Sequence, residues 1–158
     1  MTTTTIRMLC LLLMMTSPFS AHAHELESLT LITLADGTRG TKNAIDLGPP
    51  GPSQGDLFVF DQPLMNEDRQ DIGSNSGYCV NTLPNSHSQC QWTLLFTDAT
   101  GKVEGTLVVA GQEHEEGLSV VAVIGSTGKY AGYGGEMTSQ PNSDGTFTQT
   151  LKLSRPSS

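Results

Sequence analysis

Gly55-Asp-Leu-Phe-Val-Phe-Asp-Gln-Pro-Leu64 alternates along its whole length. Asp56, Phe58, Phe60 and Gln62 fall on one face of a strand, and Leu57, Val59 and Asp61 on the other, because successive side chains of an extended chain point to opposite sides. An acid and an amide flanking two phenyl rings on one face is the composition of a mostly apolar cavity with a few polar groups. Asp56, directly after Gly55 at a strand start, also fits an ordinary turn acid.

Outward from this run, no segment of ten residues after position 23 sustains a helical apolar period. Short alternating or apolar runs are separated instead by Gly, Pro, Asn and Asp clusters. The spacing predicts strands over Leu26–Leu34, Asp56–Leu64, Gly77–Leu83, Gln89–Thr97, Val103–Ala110, Ser119–Ile124, Gly135–Gln140 and Thr146–Leu153. Eight strands so spaced predict an all-β, antiparallel barrel or sandwich, and an eight-stranded barrel would have an interior that holds side chains or one small ligand. Thr38–Gln54 reads as a loop across a barrel mouth, since Pro49, Pro50 and Pro52 lack ladder donors.

The ends bound the compartment. Arg7, the apolar run Met8–Met15, Pro18 and Ala21-His22-Ala23 compose a secretory signal peptide over residues 1–23, leaving one domain over 24–158. The apolar run is too short to span a bilayer, so no membrane anchor is expected after processing. Losing Arg7 leaves 8 − 1 = 7 basic residues against 16 acidic ones, a net charge of 7 − 16 = −9. That sign disfavours nucleic acid and anionic membrane surfaces.

Cys10 leaves with the signal, and an even pair in an exported chain predicts a Cys79–Cys90 disulfide across a hairpin whose tip is Pro84–Ser88. Parity then puts Asn81 and Leu83 on the face of Cys79, and Trp92, Leu94 and Phe96 on the face of Cys90. That face carries the only Trp and is read as inward. Tyr78, Val80, Thr82, Gln91, Thr93 and Thr97 are read as outward. Three inward polar groups, Asp56, Gln62 and Asn81, need partners, either a ligand or neighbouring backbone.

Other chemistry finds less support. Gly125-Ser-Thr-Gly128 lacks the Lys-Ser/Thr of a phosphate loop, and its glycines suit a barrel corner with Tyr130 packed across the end. Glu113-His114-Glu115-Glu116 reads as a solvated hairpin tip, because no second cluster completes a metal shell. His24 would need a second histidine, and only His87 and His114 remain. No nucleophile elbow gathers Ser, His and Asp. No metal and no cofactor is expected.

Residues 55–64, taken with Ile124-Gly-Ser-Thr-Gly-Lys-Tyr-Ala-Gly-Tyr-Gly-Gly135, resemble the superfamily of plant dirigent proteins and allene oxide cyclases over roughly residues 54–153. Dirigent proteins carry a similar Gly-Asp-Leu-x-Val-Phe-Asp-x-Pro run, and both families carry a glycine-rich turn with an aromatic residue. The resemblance implies an eight-stranded barrel, a homotrimer and a protein acting on a small apolar molecule. It also implies one of two functions. One is an isomerase or cyclase that confines a reactive substrate; the other is a non-catalytic guide of stereochemistry or a plain ligand-binding barrel. On the first reading Asp56, Gln62 and Asn81 are catalytic, and Phe58, Phe60, Trp92, Phe96 and Tyr130 shape the substrate. The cyclases' water-holding Asn matches Gln62, and their first-strand Glu falls near Leu31, which cannot replace it. Dirigent polar groups are replaced by Gln62, Lys129 and Gly134.

Overall fold

The structure, a computed structural model, describes residues 25–157. The signal-peptide reading and His24 lie outside those residues. Nine strands form one antiparallel sheet: β1 (Leu26–Asp36), β2 (Thr41–Ile45), β3 (Leu57–Met65), β4 (Asp71–Leu83), β5 (His87–Thr97), β6 (Val103–His114), β7 (Ser119–Ser126), β8 (Gly134–Pro141) and β9 (Thr146–Pro156). Each strand pairs with its sequence neighbours, apart from β1 and β2. β1 pairs β9 along its length and closes the sheet on β3 through Leu34↔Met65 and Ala35↔Leu64. The result is a closed eight-stranded antiparallel barrel, the one of the two architectures open to the strand spacing that the resemblance implies.

β2 is the ninth strand, within a segment whose sequence reads as a loop. It pairs with the first half of β3, Thr41↔Asp61 to Ile45↔Leu57, while β1 takes the second half. One edge of β3 is thus shared by β1 and β2, which follow one another along it in the same direction. The bend between them is locked by Asp36, whose carboxylate accepts from the Thr38 hydroxyl (2.6 Å) and Arg39 Nε (2.7 Å), while Arg39 reaches Asp71 (2.7 Å) on β4. These contacts, Thr38 foremost, hold the Asp36 pKa at about 2.

β4 begins six residues earlier than its apolar pattern shows, at Asp71 rather than Gly77. Gly77 has a specific reason to be glycine. It pairs with Trp92, and a Cβ there would stand 2.3 Å from the Trp92 Cβ.

The hairpin β4–β5 carries the bridge: Cys79 and Cys90 are direct partners, Cα–Cα 4.0 Å apart and joined as a disulfide. Leu83 departs from its inward reading. A bulge between Asn81 and Leu83 breaks the alternation, and Leu83 is exposed.

One barrel end is plugged. The turn Gly128–Tyr130 folds back over it, allowed by Gly128 (φ 61), where a Cβ would meet the Glu104 carbonyl at 2.1 Å. Tyr130 is buried, its ring 4.8 Å from that of Phe96. Tyr133 donates to Glu27 (2.7 Å), which also holds Arg155 (2.8 Å). The opposite end stays open.

Candidate functional site

The open end leads into a cavity of about 520 Å³. Its walls differ in kind because they come from different strands. On β3–β5 the inward side chains are Phe58, Phe60 and Trp92, stacked as a tilted pair (5.9 Å) and an edge-on pair (6.4 Å). Phe147 on β9 adds a fourth ring to the lining.

The opposing wall is polar. Thr33 on β1 pairs with Gln149 on β9, Gln149 with Ser139 on β8, and Ser139 with Ser119 on β7. All four are buried, and Thr33 donates to Gln149 at 3.1 Å. This belt of adjacent partners runs on through Glu113 of β6, where the backbone N–H of His114 binds the Ser119 hydroxyl at 2.9 Å. Glu113 in turn pairs with Ser88, and Ser88 with Asn81. Asn81 apart, which register with Cys79 marks as inward, nothing in the hydrophobic patterning marks the belt, since its members look like ordinary outward residues.

Glu113 corrects the reading of residues 113–116 as a wholly solvated tip. Glu115 and Glu116 are exposed, but Glu113 turns inward. Its Oε2 lies 3.5 Å from Cys90 Sγ and 3.7 Å from Cys79 Sγ, sulfurs that have no proton to donate once bridged. Among the described residues its carboxylate has one hydrogen bond, from the Ser139 hydroxyl at a long 3.5 Å. Desolvation pushes the Glu113 pKa above its ordinary value, opposed weakly by Ser139. Together the ligating atoms of Cys79, Cys90 and Glu113 fall within 4.8 Å of one another. With both sulfurs in a disulfide, only the carboxylate has a ligand atom of the usual kind to offer.

Of the residues singled out in the sequence, Phe58, Phe60, Trp92 and Gln62 line this cavity. Asp56 and Asn81 do not. They border a neighbouring cavity of about 350 Å³ beneath the proline-rich loop, separated from the first at Phe58, Cys79, Ser88 and Glu115. The Asp56 carboxylate ties that loop down, accepting from the N–H groups of Leu47 (3.0 Å) and Ser53 (2.7 Å) and the Ser53 hydroxyl (2.9 Å). These donors, Leu47 first, lower its pKa. Phe96 and Tyr130 belong to the plug and line neither cavity, because the barrel's deepest inward positions go to core packing.

No family model matches the chain, and no curated protein matches it. Solved structures do. A pyocyanin demethylase is 24% identical, with a TM-score of 0.64 over 80% of this chain and 99% of its own. A pterocarpan synthase dirigent protein is 14% identical (TM-score 0.62, 84% and 92% covered). An exo-specific intermolecular Diels-Alderase is 13% identical (TM-score 0.64, 82% and 98% covered). What these likenesses show is the fold: the closed antiparallel β-barrel that all three structures share with this chain.

Proposed function

We propose that the protein is a secreted isomerase of the cyclase kind, confining a small, largely apolar substrate against Phe58, Phe60 and Trp92 while Glu113 acts as the general acid. One observation carries this reading: the inward carboxyl of Glu113, its pKa raised by desolvation, stands over an aromatic-walled cavity open at one end. A protonated carboxyl can donate to a carbonyl or epoxide oxygen as charge develops there, and the rings hold the carbon skeleton in a folded, reactive shape. The acid that Leu31 fails to supply from β1 is thus supplied from β6. A second reading, a guide that orients an intermediate without proton transfer, is favoured by the loose positioning of Glu113, whose one hydrogen bond is 3.5 Å long.

Titrating polyenes, phenols and apolar acids against the fluorescence of Trp92, the only tryptophan, tests the site. Quenching by at least one class at micromolar concentration is expected, and its product analysis separates isomerase from guide. Absence of quenching by every class removes the site reading.

Assembly as a homotrimer belongs to the same proposal. Along the middle of β4–β7 the outward side chains, including Tyr78, Val80, Thr93, Val108, Val120 and Ile124, are uncharged, and the charged Asp71 and Glu104 stand at the strand ends in ion pairs with Arg39 and Lys129. Sedimentation at micromolar protein is expected to give three times the chain mass; a monomer there rejects the trimer.

A further inference from the structure

We propose that Asn75 and Trp92 form a polar floor in the cavity, and that the buried end of its ligand is a neutral group with both a hydrogen-bond acceptor and a donor. A carboxamide, a lactam or a hydroxyl qualifies; a carboxylate does not. The proposal rests on the reading of this cavity as a small-molecule site and adds the chemistry of its inner end.

Register places these two side chains below the mouth. From the open end inward along the β4–β5 hairpin, the facing pairs are Asn81↔Ser88, Cys79↔Cys90, Gly77↔Trp92, Asn75↔Leu94 and then Gly73↔Phe96 at the plug. Asn75 and Trp92 are diagonal neighbours on one face, the deepest polar groups of that hairpin. Both line the cavity, and they are 2% and 3% exposed.

Neither has its hydrogen-bonding satisfied by the protein. Asn75 Oδ1 and Trp92 Nε1 are buried atoms with no partner among the described residues, although Gln62 is the direct strand partner of Asn75. An orphaned acceptor and an orphaned indole donor on one buried face are costly for a folded chain, and native interiors keep few such atoms without a reason. Any ligand group that displaces water from this floor must replace two bonds of opposite sense, one accepted from Trp92 and one donated to Asn75.

Charge narrows the class. Among the residues lining the cavity only Lys42 and His114 are basic, and both are exposed. The Lys42 ammonium already donates to the Gly37 carbonyl at 3.0 Å. A carboxylate at the floor would face the Asn75 carbonyl oxygen with no cation beside it, a buried charge without compensation.

The test uses three single-ring probes, benzamide, benzoate and ethylbenzene, by calorimetry and by the indole N–H resonance in a proton–nitrogen spectrum, which one tryptophan makes unambiguous. Benzamide is expected to bind about tenfold or more tighter than the other two and to move the indole resonance downfield, because a site built for hydrogen bonding rejects analogues that leave it unpaired. Ethylbenzene is expected to bind without moving it. Asn75→Leu should erase the preference for benzamide and raise the melting temperature of the free protein, since it removes an orphaned acceptor. Trp92→Phe, which keeps a ring and deletes the N–H, should erase the same preference and serves if the leucine variant does not fold. Equal binding of benzamide and ethylbenzene, or an indole resonance unmoved by bound benzamide, overturns the floor and leaves the cavity reading intact. Failure of all three probes to bind overturns the cavity reading and the floor with it.

Discussion

Asp56 and Glu113 sit at the same open end of the barrel, on the borders of adjoining cavities, and are opposite in physical character. Asp56 accepts hydrogen bonds from two backbone N–H groups and a hydroxyl, which favour its charged form and lower its pKa. Glu113 has one long hydrogen bond and little water, which favours its neutral form and raises its pKa. The first carboxylate is spent on the loop it secures. The second has its proton chemistry unspent. A carboxyl becomes a candidate acid through the donors it lacks, and that property belongs to the folded surroundings rather than to the residue type.

The largest expected effect separates the two directly. On a substrate found by Trp92 quenching, Glu113→Gln should lower kcat by about 100-fold or more with little change in KM, the range that loss of a general acid produces. Asp56→Asn should leave kcat within about threefold, since it touches the loop and not the reacting atoms. The reverse ordering would move the acid to Asp56 and make the smaller cavity the reactive one.

A smaller effect sharpens the structural half of the contrast. Asp56→Ala releases the N–H groups of Leu47 and Ser53, so the loop between β2 and β3 should open more often without the barrel unfolding. Limited proteolysis should cut residues 46–55 several-fold faster than in the parent, with a slightly lower melting temperature. Glu113→Gln should leave that cleavage rate unchanged. Equal cleavage in the parent and in Asp56→Ala would deny Asp56 its anchoring role.

How much of this was legible before folding depends on which wall is considered. The aromatic wall is written in β3 and the β4–β5 hairpin, where alternation is clean and Cys79 and Cys90 set the register, so Phe58, Phe60, Gln62 and Trp92 could be placed inward. The polar belt could not. In β7, Val120 faces out and Val121 faces in, so an apolar outer surface erases the period that would mark Ser119 as inward. In β9, Thr148 and Gln149 are both polar, yet only Gln149 is fully buried. Asn75 lies in Ile72-Gly-Ser-Asn-Ser-Gly77, ahead of the strand that the apolar pattern starts at Gly77, because small residues stand where the chain packs closely, Gly77 against Trp92 and Gly73 against the Leu95 backbone. Glu113 is hidden among acids that do face water. Hydrophobic periodicity finds apolar cavity walls; it is silent where a protein buries polar side chains on purpose.

The smallest effect is in stability against pH, and it tests the contrast through sign alone. Asp56 has a folded pKa below its unfolded value of 3.8, so the stability it contributes is present above that value and fades as pH falls through the lowered one. Glu113 has a folded pKa above its unfolded value of 4.5, so the folded state binds the extra proton and stability declines as pH rises from 4.5 through the raised value. Melting curves between pH 3 and 7 should therefore bend in opposite directions for the two variants. Asp56→Asn should match the parent at the acid end and fall below it toward neutrality. Glu113→Gln should match the parent below about pH 4.5 and exceed it at pH 7, because an amide carries no charge to desolvate. If Glu113→Gln lowers stability at pH 7 as Asp56→Asn does, the Glu113 carboxylate is held by favourable contacts after all, and its assignment as the acid of this cavity falls.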